Sequence, residues 1–164
     1  MCFDTYKEKI KERLTRYFDI EENYIYNKET FELFAISNIR NERYIASKKL
    51  TIYAFENDEY CFLKHFKSLD ESQLEELINI LKCSINDFVN PHHDHMSSTI
   101  TGVIAVDKTV KTDIIKGIKK FHYQKSFFFG LKGWCEVRLI LIDLSKGEAI
   151  PSKKAKKAVQ FYLP

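Results

Sequence analysis

Ser98-Thr99-Ile100-Thr101-Gly102-Val103-Ile104-Ala105-Val106 is the stretch on which the fold turns. It is an apolar run of strand length, so it reads as a buried strand. Asp107 or Thr109 is placed to cap a helix after it, with Val110, Ile114, Ile115, Ile118 and Phe121 turned inward. Lys108, Lys111, Lys116, Lys119 and Lys120 fall on the opposite side of that helix. Trp134 to Leu144 then supplies a second long apolar strand. Strand, helix, strand at this spacing describes a βαβ unit, parallel and right-handed.

Upstream, Leu74, Leu77, Ile78, Leu81, Ile85 and Phe88 form one stripe of a helix that Pro91 ends. Ser68-Leu69-Asp70-Glu71 has the form of a capping box for it, with Ser68 at the cap. Before this helix come aromatic and β-branched runs at Asn23–Tyr26, Phe31–Ser37, Arg43–Phe55 and Tyr60–Phe66. The polar segments 27–29, 38–41 and 56–59 separate them as hairpin turns. Leu50, Ile52 and Ala54 share one face of the third run, and Tyr53 and Phe55 the other, which suits a central strand. Phe3, Tyr6, Ile10, Leu14 and Tyr17 recur at helical spacing and open the chain with an amphipathic helix. The expected fold class is therefore α+β: a mixed sheet, an antiparallel meander followed by a βαβ unit, with about three helices. Residues 1–164 read as a single domain.

The chain has 164 residues, 45% of them hydrophobic, with 13 Phe, 9 Tyr and 1 Trp against five Gly and three Pro. Disorder and low complexity are excluded by that balance. No apolar run approaches the roughly 20 residues of a membrane span, and the start lacks a signal peptide's apolar stretch. Cys2, Cys61, Cys83 and Cys135 stand far apart with no Cys-x-x-Cys pair, which reads as buried free thiols in a reducing compartment. Cytoplasmic location and no membrane partner are the corresponding expectations.

A net charge of +3 hides an asymmetry. Residues 1–100 carry 13 basic and 18 acidic side chains, a balance of −5, and residues 101–164 carry 13 and 5, a balance of +8. A basic half attracts nucleic acid or an acidic protein. The candidate contacts are Lys108, Lys111, Lys119, Lys120, Lys153, Lys154, Lys156 and Lys157.

His92, His93, Asp94 and His95 are the only tight group of metal-competent side chains. His-x-His on an extended segment sends two imidazoles to one side, and a carboxylate beside them is a common oxygen ligand. A divalent metal is the one bound group this would support. The same segment also suits a polar connector after a helix, because no His-Glu-x-x-His or Cys-x-x-Cys partner accompanies it. His65 and Cys61 share a strand face but stand about 13 Å apart, too far for one ion. Neither a glycine-rich phosphate loop nor a nucleophile–base arrangement is present, so no catalytic residue is assigned.

Lys125-Ser126-Phe127-Phe128-Phe129-Gly130-Leu131-Lys132-Gly133-Trp134 interleaves aromatics with cations. Exposed, such a stretch stacks bases of single-stranded nucleic acid. The composition favours instead a pair of core strands joined through Gly130 or Gly133.

In element order the chain resembles the restriction-endonuclease-like core, over about two thirds of its length. That resemblance implies an acidic residue on one strand and an acid-x-Lys pair on the next. Lys64 is available, but Phe62 stands where the carboxylate is required, and Asp107 with Glu136-Val137-Arg138 is out of place. An inactive version of that fold is what the resemblance implies. A second resemblance rests on His95-Met96-Ser97-Ser98, Thr101-Gly102, Lys119-Lys120-Phe121, Phe129-Gly130-Leu131-Lys132-Gly133-Trp134, Arg138-Leu139, Val106 and Asp143-Leu144. These look like an uncharacterised family of bacterial cytoplasmic proteins, best over the last 70 residues or so. Bacterial origin and unknown function follow from it.

Two functions are therefore open. One is a non-enzymatic binding or interaction domain whose basic C-terminal half meets nucleic acid or an acidic partner. The alternative is a metal-dependent hydrolase or nuclease built on His92–His95.

Overall fold

The computed structural model describes residues 1–40, 56–92 and 95–164, with side chains 38–40 and 56 left aside. The expected strand Arg43–Phe55 lies outside them, as do His93 and Asp94. The elements are α1 (Phe3–Leu14), β1 (Asp19–Tyr26), β2 (Glu29–Arg40), β3 (Glu56–Phe66), α2 (Glu71–Phe88), β4 (His95–Val106), α3 (Thr112–Lys120), β5 (Tyr123–Ser126), β6 (Trp134–Asp143) and β7 (Glu148–Pro151). Among the described residues this is an α+β fold of three α-helices and a seven-stranded mixed sheet, ordered β1-β2-β3-β4-β6-β5. β7 shares the outer side of β6 with β5: β5 pairs its first half and β7 its second.

β1 and β2 form a hairpin over Asn27 and Lys28, both at positive φ (48° and 68°), the backbone a two-residue turn demands. β3 runs antiparallel to β2, while the β3–β4 and β4–β6 pairs are parallel. The βαβ expectation thus holds for β4–α3–β6, with β5 inserted, and β3–α2–β4 adds a second parallel crossover. Of the segments 38–41 and 56–59, expected as turns, residues 38–40 and 56–59 are instead the end of β2 and the start of β3, and Asn41 lies outside the described residues.

β4 is buried without a break from Ser98 to Val106, which requires a layer on each face. On one side Leu74, Leu77, Leu81 and Ile85 of α2 and Ile114 and Ile118 of α3 pack on Phe34, Phe62, Ile100, Ile104, Val137 and Leu139. On the other, Tyr6, Ile10 and Leu14 of α1, together with Ala155 and Tyr162 of the C-terminal segment, cover Leu33, Leu63, Val103, Ala105 and Ile140. Tyr6 donates to the Tyr162 carbonyl at 2.9 Å, and Arg13 donates to the Phe161 and Leu163 carbonyls, tying the two ends of the chain together.

Two caps differ from expectation. α2 is capped by Asp70, whose side chain accepts from the Gln73 amide while Gln73 returns a bond to the Asp70 amide. Leu69 and Leu74, at the staple positions of that cap, join the same core. The helix therefore starts two residues later than Ser68 would have it. α3 begins after Lys111 with no side-chain cap, while Asp107 binds His65 and Thr109 meets Ser145. A cap stabilises by about 1 kcal/mol, and burying each of Ile114 and Ile118 by roughly 1.5–3 kcal/mol, so packing sets where this helix begins.

All four cysteines are free; Cys61 and Cys135 are buried, Cys2 and Cys83 exposed. Burial pushes Cys61, Cys135 and the Tyr60 hydroxyl up to about 12. Unfolded thiols ionise near their ordinary value of 9.0, so between about pH 9 and 12 the unfolded chain binds fewer protons than the folded one. Stability then falls as pH rises through that window. The urea midpoint should accordingly drop from pH 9 upward, and a flat profile to pH 11 would count against these burials. Native protein should expose two thiols to a disulfide reagent and four after denaturation.

Candidate functional site

β3, β4 and β6 start at the same end of the sheet. There the hairpin from β5 to β6 closes, with Ser126 opposite Trp134. Between them residues 127–133 form a loop held by its own backbone. The Phe127 amide donates to the Gly133 carbonyl (3.0 Å), Gly130 and Lys132 to Phe127 (2.9 and 3.3 Å), Leu131 to Phe128 (3.0 Å) and Gly133 to Gly130 (3.2 Å).

His95 fixes this loop to the start of β4. The residue is 3% exposed. A carbonyl only accepts, so Nδ1–H donates to the Lys132 carbonyl at 2.8 Å, and Nε2 meets the Ser98 hydroxyl at 2.8 Å. Phe127 stands edge-on to the imidazole, centroids 6.0 Å apart. Gly133, at φ 77°, passes so close that a Cβ would lie 2.4 Å from the Met96 carbonyl, 2.7 Å from the His95 carbonyl and 2.8 Å from Nδ1. His95 is thereby bonded inside the protein at both ring nitrogens and acts as an internal strut.

The loop projects what it does not bury. Phe128 is 61% exposed, Leu131 81% and Phe129 fully, with Trp134 at 37%. The expectation that these aromatics join the core is corrected here: β5 and β6 do form a hairpin, but only Phe127 turns inward, half-buried against the α2 core. Three consecutive Phe in a seven-residue hairpin loop cannot all face one side. Phe128 and Phe129 both sit at positive φ (48° and 56°), at a cost on the order of 1–2 kcal/mol each for L residues. The Lys132 ammonium lies 4.1 Å from the Phe128 ring centroid, and that of Lys125 5.7 Å from Phe127 while donating to Asn86.

The other sequence candidates fall as follows. The His92 ring is 6.1 Å from that of His95, and His93 and Asp94 lie outside the described residues. A metal on His95 would have to displace Lys132 or Ser98 inside a closed site. Among the described residues no group of three or more His, Cys, Asp or Glu could hold an ion. Lys108, Lys111, Lys119, Lys120, Lys153, Lys154, Lys156 and Lys157 are all exposed, and none takes part in an ion pair among the described residues. They divide between layers: α3 packs on the α2 side and the segment around Ala155 on the α1 side. β7 touches both α3 and the C-terminal segment. Lys119 and Lys120 stand at the end of α3 that leads through β5 into the aromatic loop.

The carboxylates weighed for nuclease chemistry do not converge. Phe62 is buried among Phe31 and Phe34, and Lys64 is taken by the Glu29 carboxylate (2.8 Å) and the Thr30 carbonyl (2.7 Å). Asp107 follows the end of β4 and binds His65 Nε2 at 2.9 Å. Glu136 sits near the start of β6, paired with Arg138, and seven strand residues separate it from the Asp143 level, roughly 23 Å.

Fold and site together define a three-layer α+β domain that displays a hydrogen-bonded aromatic and basic loop. The chain belongs to the family described as Domain of unknown function (DUF8052), whose model matches residues 3–164. No curated protein and no solved structure matches it. Among the described residues no helix is long and apolar enough to cross a membrane.

The strut makes a testable demand on two glycines at positive φ. Gly130, at φ 90°, has open space where its Cβ would go, whereas Gly133 meets backbone oxygen. Gly130→Ala should cost about 1 kcal/mol, and Gly133→Ala clearly more, about 2–4 kcal/mol, since backbone must move. Equal losses in urea unfolding would refute the packing described.

Proposed function

We propose that this is a nucleic-acid-binding domain that performs no covalent chemistry. One observation carries the reading: residues 114–135 contain Lys116, Lys119, Lys120, Lys125 and Lys132 and no Asp or Glu. That span runs from α3 through β5 into the loop, and its lysines lie along one continuous path of chain at the surface. Lys116 is paired with Asp113 just before this span (3.6 Å), which leaves Lys119, Lys120, Lys125 and Lys132 as the cationic path, and such a path suits a phosphate backbone, whose contacts release counterions. A cytoplasmic placement goes with this reading and is supported by the four unpaired cysteines, which suit a reducing compartment. A restriction-endonuclease-like core in an inactive form goes with this reading, since the buried Phe62 takes the place of the carboxylate that cleavage requires.

Binding of a fluorescent oligonucleotide should be measurable at low salt and fall steeply as salt rises. Lys119→Gln with Lys120→Gln should lower the slope of log affinity against log salt by about 1 per lysine. No binding at about 20 mM salt would end the nucleic-acid reading, and salt-dependent capture of an acidic peptide alone would replace it with a protein partner.

The metal-dependent hydrolase reading keeps one observation in its favour, the proximity of His92 to His95. It requires His95 to give up a buried hydrogen bond. Stoichiometric zinc or manganese in untagged protein, or a rise in Tm on adding either, would support it.

A further inference from the structure

We propose that the tip of the 127–133 loop is a stacking platform for the unpaired bases of single-stranded nucleic acid. The inference rests on the nucleic-acid reading above and names the form of polymer. Phe129 stands clear of the protein at the apex of the loop, so its ring faces are open to a planar partner. Trp134, at the base of the same hairpin, offers a second, partly exposed ring. Bases in a duplex stack on one another and show only their edges; unpaired bases leave a π-face free for an aromatic side chain.

The flanking charge fits the same ligand. Lys132 lies beside the exposed rings, Lys125 sits over Phe127 at the inner side of the loop, and Lys119 and Lys120 continue the cationic path beyond β5, about 13 Å of strand. A strand whose bases stack at the tip can lay its phosphates along that path. Lys132 also separates this ligand from a lipid surface. Its ammonium lies 4.1 Å from the Phe128 ring centroid, so inserting Phe128 among acyl chains would give up that cation–π contact, whereas stacking a base on Phe129 leaves it in place.

The loop is built in advance of binding. Five backbone hydrogen bonds and the His95 strut hold it, so little ordering entropy opposes association. Two adjacent aromatics in the left-handed region are strained unless the surroundings enforce them. A loop with no task at its apex would sooner carry Asn or Gly there.

The experiment measures anisotropy of a labelled oligothymidylate of about 12 nucleotides and of a duplex of equal length, with Trp134, the only tryptophan, as an internal fluorescence reporter. Wild type should bind the single strand about tenfold more tightly than the duplex, with quenching of Trp134. Phe129→Asn, which suits the left-handed backbone and leaves the core untouched, should lose about tenfold for the single strand and nothing for the duplex, and Phe129→Tyr should restore binding. Equal affinity for both polymers, with Phe129→Asn changing neither, would overturn the platform while the lysine path stands. Loss in Phe129→Asn of binding to phosphatidylserine vesicles, with oligonucleotide binding intact, would overturn it in favour of a lipid surface. Absence of binding to either polymer at about 20 mM salt would remove the nucleic-acid reading itself.

Discussion

From Ser98 to Val106, strand β4 has water on neither face and a parallel partner on each side, and that constraint organises the molecule. Its backbone bonds need β3 and β6 alongside, because an unpaired buried amide or carbonyl is costly. Parallel neighbours need crossovers, and α2 and α3 provide them on one face. The opposite face must then be closed by what remains of the chain, which is α1 and the C-terminal segment. Gly102 marks how tight the fit is: a Cβ there would lie 2.4 Å from Leu81 Cδ1 of α2.

The same strand sets up the site. β4 begins at His95, beside the point where the β5–β6 hairpin turns over, and the buried imidazole joins the two by one bond to Lys132 and one to Ser98. Burial makes each of those bonds consequential, since losing a partner inside the protein costs about 1–3 kcal/mol. The loop's inner side is therefore specified by the core, and its outer side is free to carry Phe128, Phe129 and Leu131 into solvent. A rigid projection of apolar rings between lysines is an uncommon use of surface in a chain with a well-filled interior.

Much of the fold could be read from the chain because burial imposes period. The stripes of α1 and α2 and the unbroken run of β4 gave element type and, through the βαβ spacing, the parallel core. Ends were harder. Ser68 and Asp70 are both good caps, and only the packing of Leu69 with Leu74 decides between them. The polar stretch Glu56–Glu59 reads as a turn, but pairing with Ser37 and Thr99 on either side makes it strand. The site was less legible still. Histidines in a row suggest a metal, and nothing local says that His95 will bond a carbonyl 37 residues away. Phe127-Phe128-Phe129 suggests core, and only the closure of the loop around Gly130 and Gly133 turns two of the three rings outward. A hairpin loop with two glycines and three aromatics is the signal that was present.

Hydrogen exchange across residues 127–133 of the unmodified protein tests the central claim, that a solvent-facing loop is held rigid by the start of β4. The amides of Gly130, Leu131, Lys132 and Gly133 should be protected by at least about a hundredfold over an unstructured peptide, a stabilisation of roughly 2.7 kcal/mol against local opening. Exchange of these four at the unstructured rate, while β4 and β6 remain protected, would contradict it.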